Sequence, residues 1–116
     1  MGIQIIRLTT IGRKTGRPHR VLLNMFPIDG KYMVVGSNAG ADNHSDWFLN
    51  LQATPAVAVE LSGTQNEAVA RITEGQERDR LWAEVVSADP SYSEYLVRTE
   101  RVIPVVVLEP VMEQNV

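Results

Sequence analysis

Hydrophobic and polar positions alternate along most of this chain, and the alternation divides it into short strands. Ile3 to Thr10 is brief, rich in β-branched residues and bounded by a glycine, so it predicts a strand. Gly12 to Pro18 carries two glycines and a proline and reads as a loop or wide turn. Val21 to Ile28 predicts a second strand, and Lys31 to Gly36 predicts its return partner across an Asp29-Gly30 hairpin turn. Val57 to Leu61 and Glu67 to Ile72 alternate around Ser62-Gly63 and predict a second hairpin. Ile103 to Leu108 is apolar on both faces, the pattern of a central or barrel-closing strand.

Two stretches change period. Asp46 to Ala53 reads as a short helix that Asn43 or Ser45 could cap and Pro55 would stop. Thr73 and Gln76 have the spacing of a capping box. The helix after it would bury Leu81, Trp82, Val85 and Val86, expose Glu77, Arg78 and Arg80, and end at Asp89-Pro90. Ser91 to Thr99 follows as a polar, tyrosine-bearing turn. The expected fold class is mainly β (α+β). It is a split β-barrel of about six antiparallel strands with two or three flanking helices, an arrangement that hides sheet edges.

Composition narrows the chemistry. At 116 residues the chain suits one domain. The absence of Cys excludes disulfides, thiolate catalysis and Cys-ligated zinc. A net charge of −3 opposes general attraction to nucleic acid or anionic membranes. No apolar run approaches the ~20 residues that cross a bilayer, and the N-terminus lacks the pattern of a signal peptide, so a cytoplasmic location is expected.

Against that acidic background, Arg13, Lys14, Arg17 and Arg20 cluster within a single loop region. Gly12 and Gly16 let backbone approach a ligand, and Thr15 adds a hydroxyl. Such a loop can hold phosphate or carboxylate oxygens, or it can be a solvated basic turn; spacing alone leaves both open. It is not a Walker A loop, because Arg13 stands where a glycine belongs before the lysine. Val34 to Ala41 ends a strand in small residues against which a flat ring could lie, although a plain helix-leading loop has the same composition. Trp47, Phe48 and Trp82 fit a core by spacing, and Tyr92 and Tyr95 could share a pocket or the surface. His19 and His44 are far apart in sequence with no carboxylate at ligand spacing, so no metal site is expected. No nucleophile or acid–base pair can be read from spacing.

These motifs, taken in order, resemble a known family. Leu8-Thr9-Thr10, Gly12 to Pro18, Asp29-Gly30 and Val34 to Ala41 match its pattern. So do Trp47 to Leu51, Ala53 with Pro55, Pro90 with Tyr92 and Tyr95, and Ile103 to Pro110. Together they resemble the deazaflavin-dependent nitroreductases, also called F-420-dependent quinone reductases, over nearly the whole chain. The resemblance implies one split-barrel domain over residues 1–116, similar to flavin mononucleotide-binding oxidoreductases. It implies coenzyme F-420, an 8-hydroxy-5-deazaflavin, as hydride donor to a small organic acceptor. Arg13, Lys14, Thr15, Gly16, Arg17 and Pro18 would hold the coenzyme's phosphate and acidic tail. Leu8, Thr9, Gly36, Ser37 and Asn38 would line the deazaflavin, with Trp47, Phe48 and Tyr92 close by. Tyr95 would lie beside the acceptor, and Ser37 and Tyr95 are the candidate proton donors.

The chain departs from that pattern at Asn38, where some members carry Lys, at Phe48, where Tyr is usual, and at Asp89, where an aromatic residue often precedes the Pro. Its first strand begins almost at once, where members active on nitro compounds have an N-terminal arm. These departures fall on the acceptor side, so the coenzyme cradle carries over more fully than the acceptor pocket. The competing readings are a non-catalytic carrier of the coenzyme, a flavin mononucleotide enzyme on the same fold, and a small nucleic-acid-binding barrel. The last is opposed by charge and by the lack of aromatics interleaved with the basic cluster. Either a monomer or a homodimer is compatible with the pattern.

Overall fold

Alternation along the first strand separates the inside of a barrel from its outside. In the computed structural model, which describes residues 3–28, 31–37, 44–95 and 102–111, strand β1 spans Gln4–Ile11. Its Ile6, Leu8 and Thr10 are buried, while Ile5, Arg7 and Ile11 face outward. The strands β2 (Pro18–Ile28), β3 (Lys31–Val35), β4 (Ala56–Leu61), β5 (Thr64–Ile72) and β6 (Val105–Pro110) complete the set. They close in the order β1-β2-β3-β6-β5-β4, and every pairing is antiparallel. Closure gives every strand a partner on each side, as the sequence pattern predicts, although β2 meets β3 only over Phe26, Pro27 and Ile28.

Two apolar clusters hold this arrangement. One fills the barrel, with Ile6, Leu8, Met25, Val34, Val106 and Leu108 meeting Trp47, Phe48 and Leu51 from helix α1 (Asp46–Ala53). The other lies outside the barrel, where Phe26, Met33, Val105 and Val107 are covered by Leu81, Trp82 and Val85 of helix α2 (Gly75–Ala88) and by Tyr92 of a 3-10 helix (Pro90–Glu94). The run Val105–Leu108 is apolar throughout for this reason: alternate residues serve the barrel interior and the α2 interface. Each large side chain fully buried in this way contributes about 1.5–3 kcal/mol.

The Ser62-Gly63 hairpin forms as expected, with both residues at positive φ as a two-residue turn of this type requires. Other expectations need correction. Strand β2 starts at Pro18 rather than Val21, since a proline is tolerated at the first position of a strand. The capping box at Thr73 does not form: Glu74 occupies the N-cap position of α2 without a side-chain capping bond, and the Thr73 hydroxyl donates to the Val105 carbonyl at 2.8 Å. Arg78 is mostly covered rather than exposed, stacking over Trp82 at 5.1 Å and donating to the Ile103 carbonyl. Ser45 stands at the N-cap of α1 without a side-chain capping bond. The Asp29-Gly30 turn, Asn38 to Asn43 and the end of the Ser91–Thr99 turn lie outside the described residues.

Candidate functional site

Helix α2 and the 3-10 helix shield only part of the outward face of β2. Phe26 on that face is 1% exposed, whereas Leu22, four residues earlier, is 66% exposed. The bare portion is the floor of a groove of about 460 Å³. Ile5, Leu22 and Asn24 line it from the strands, Tyr92 from the 3-10 helix, and Ser45 and Trp47 from the start of α1. Val35 and Ser37, at the end of β3, also border it.

Tyr92 is held rigidly at this groove. Its ring meets Phe26 and Tyr95 edge-on, each at 5.3 Å between centroids. Its hydroxyl oxygen accepts a hydrogen bond from the Asn24 amide at 3.3 Å. Burial raises the Tyr92 pKa above the usual tyrosine value, and the Asn24 bond opposes part of that rise. Tyr92 is therefore a neutral phenol at any physiological pH, able to donate its proton into a hydrogen bond.

The loop between β1 and β2, which leads into the strand that floors the groove, folds on itself. Gly12 N–H donates to the Arg17 carbonyl, Gly16 N–H donates to the Gly12 carbonyl, and both distances are 2.8 Å. Gly16 sits at φ 70°, where a glycine is favoured. At Gly12 a Cβ would lie 2.5 Å from the His19 ring and 2.6 Å from Thr15 Oγ1. The Thr15 hydroxyl lies 3.3 Å from His19 Nε2 and accepts from the Arg17 N–H.

Asn50 anchors this loop to α1. Its side-chain oxygen accepts from the Arg13 backbone N–H at 3.2 Å and from Arg13 Nη1 at 2.8 Å. Its amide nitrogen donates to Thr10 Oγ1, which is buried on the barrel's inner face. The Arg13 guanidinium also bonds the Asp46 carboxylate at 3.2 Å. Lys14, Arg17 and Arg20 make no ion pair among the described residues and are exposed. A small hollow of about 100 Å³ beside Arg20, His19 and Asn50 shares Val21 and Trp47 with the main groove, so the first residues of β2, which the basic loop leads into, lie next to the groove.

The structure thus brings together Ser37, Trp47 and Tyr92 on the groove, and Arg13, Lys14, Thr15, Gly16, Arg17 and Pro18 on the adjoining loop. Leu8 and Phe48 are core side chains, 0% and 3% exposed. Thr9 faces outward across from Arg20, on the far side of β1 from the barrel interior. Gly36 is buried and donates its N–H to the Pro104 carbonyl at 2.9 Å. Tyr95 packs on Tyr92. Asn38 lies outside the described residues. Asn24, Ser45 and Asn50 emerge only from the structure. Asn24 and Asn50 each interrupt an otherwise apolar stretch, which is the one trace they leave in the sequence. The Ser45 hydroxyl is buried without a hydrogen-bond partner among the described residues. No group of three or more metal-ligating side chains occurs among the described residues.

Comparison with known proteins bears directly on this arrangement. The family model described as F420H(2)-dependent quinone reductase matches residues 1–110. An F420H(2)-dependent quinone reductase of Mycobacterium tuberculosis is 33% identical over 104 residues, covering 87% of this chain and 70% of that protein. A solved structure of an F420-H2 dependent reductase superposes with a TM-score of 0.81 at 37% identity, covering 91% of this chain and 94% of that one. Another solved structure, described as a domain-swapped dimer, superposes at 0.82 with 36% identity over 94% of this chain and 82% of its own.

Proposed function

The chain belongs to the F420H(2)-dependent quinone reductase family, and from that premise we propose that its groove and basic loop form one site in which coenzyme F-420 reduces a quinone-type acceptor. It is an F-420-dependent oxidoreductase on a split-barrel fold. The observation that supports the site assignment is that Lys14, Arg17 and Arg20, without an ion-pair partner among the described residues, lie in or just after the loop that leads into β2, where Arg20 borders a hollow adjoining the groove walled by Trp47 and Tyr92. An anionic tail needs local positive charge, and Lys14, Arg17 and Arg20 supply it on an otherwise acidic protein. The residues present fit such a ligand.

When bound, the reduced coenzyme supplies a hydride. The chain's own contribution is to bind, orient and desolvate. Lys14 and Arg17 hold phosphate and carboxylate oxygens. Asn50 and Asp46 keep Arg13, and through it the loop backbone, in place. Trp47 forms a flat apolar wall, and Ile5 and Leu22 present apolar surface to an uncharged acceptor ring. Tyr92 offers a hydrogen-bond donor to an oxygen in the groove. No helix among the described residues is long and apolar enough to cross a membrane, and we place the reaction in the cytoplasm.

A fluorescence titration of the purified protein with oxidised F-420, with flavin mononucleotide in parallel, tests the assignment. Selective saturable binding is expected, weakened about tenfold by Lys14→Ala or Arg17→Ala, the loss of one charge-assisted contact. Preference for the flavin, or affinity indifferent to both substitutions, overturns it.

A further inference from the structure

Asn24 is an outward-facing polar residue on β2, opposite Ile5 of β1, and it lines the groove. It comes from a different part of the chain than Tyr92, yet its amide nitrogen lies 3.3 Å from the Tyr92 hydroxyl oxygen. An amide N–H can only donate, so at this contact the phenol oxygen accepts. That bond decides where the phenol's own hydrogen cannot point: it cannot be directed at Asn24. The Phe26 and Tyr95 rings flank the Tyr92 ring edge-on and offer no oxygen or nitrogen toward which it could turn at those contacts, apart from the Tyr95 hydroxyl at its tip. Besides the Tyr95 hydroxyl, the open direction left to it is the groove that Tyr92 lines.

We propose that Asn24 is a positioning residue for the reduction: its amide fixes the Tyr92 hydroxyl so that the hydrogen points into the groove, toward the carbonyl oxygen of a bound quinone. This rests on reading the groove as the reaction site. A carbonyl that receives a hydride equivalent gathers negative charge on oxygen, so a donor aimed there binds the charge-developing state better than the ground state. Donation from Asn24 into the phenol oxygen polarises the O–H bond and strengthens it as a donor, because hydrogen bonds in a chain reinforce one another. The step needs no external reagent. The quinone takes up the hydride's two electrons and its hydrogen, and the second proton reaches the product oxygen from water at the open mouth of the groove, with Tyr92 remaining neutral. The titratable groups that act on Tyr92 are Tyr95 and Asp89, both of which oppose its ionisation.

The role predicts a specific pattern in a double-mutant cycle. Asn24→Leu keeps the residue's approximate size at a solvent-facing position and removes the amide. It is expected to lower kcat/KM for a soluble quinone about five- to tenfold, the value of one hydrogen bond, and to leave the dissociation constant for F-420 within about twofold. In a Tyr92→Phe background the same substitution should have no further effect, since Asn24 acts only through the hydroxyl. Alkaline spectrophotometric titration gives a readout independent of turnover: the tyrosine that disappears in Tyr92→Phe should ionise at higher pH in Asn24→Leu than in the wild type. Effects of the two substitutions that multiply, an equal loss of F-420 affinity, or an unmoved Tyr92 titration each overturn the proposal. Failure of the wild type to bind F-420 overturns the reading of the groove instead, and leaves the titration as the test of the bond.

Discussion

Replacing Asn50 by Ala removes three hydrogen bonds at the junction between the barrel, α1 and the basic loop. The bonds to the Arg13 N–H and to Thr10 are neutral and contribute about 1 kcal/mol each. The bond to the Arg13 guanidinium is charge-assisted, about 1.5–3 kcal/mol when buried, and falls toward the lower figure because that side chain keeps contact with water. Asp46 retains part of the hold on Arg13, which reduces the loss further. The Thr10 hydroxyl, 0% exposed, is left without its donor in the barrel interior. The balance is a loss of roughly 2–3 kcal/mol, or about 6–15 °C in Tm for a chain of this size. Thermal denaturation followed by circular dichroism measures it. A parallel F-420 titration at a temperature where the variant is folded should show weaker binding, because the 12–17 loop has lost its tether while Lys14 and Arg17 are intact. A Tm change under about 2 °C together with unchanged affinity refutes the anchoring role of Asn50.

Further substitutions separate the loop's charges from its scaffold. Asp46→Ala breaks an ion pair whose carboxylate is 89% exposed, so Tm should move by less than about 3 °C. Asn50 still holds the Arg13 guanidinium and backbone N–H, so F-420 affinity should stay within about twofold of wild type, as titration would show. Ser45→Ala removes a hydroxyl that makes no hydrogen bond among the described residues, so stability should stay within about 0.5 kcal/mol of wild type or increase in urea denaturation. The raised Tyr92 pKa means the fold favours the neutral phenol; this contribution is complete below the usual value of 10.0 and is lost as pH rises through the folded-state value. Denaturation midpoints of wild type and Tyr92→Phe should therefore run parallel below that pH and converge above it.

The fold was largely legible because its signals are local. Strand alternation, the Ser62-Gly63 turn and the bounds of α1 are each written within a few neighbouring residues. Thr73 and Arg78 were misread because tertiary partners outcompete local rules: the Val105 carbonyl takes the hydroxyl that a capping box would use, and Trp82 takes the guanidinium that an exposed helix face would show to water. The cationic loop was legible for the same reason as the strands, since its charges lie side by side. The pairs that organise the site were not. Arg13 and Asn50 stand 37 residues apart, and Asn24 and Tyr92 stand 68 apart, so only the closed barrel brings them together. The inward side chains of Leu8 and Phe48 follow from the same closure, which decides the face a strand or helix residue takes.

Turnover of the reduced coenzyme tests the central claim most directly. Oxidation of reduced F-420 by a soluble quinone, followed by the return of the oxidised coenzyme's absorbance, should be accelerated by the wild-type protein. It should be slowed in Lys14→Ala and Arg17→Ala through weaker coenzyme binding. Tight binding of F-420 with no acceleration for any quinone would contradict the account and identify the protein as a carrier of the coenzyme.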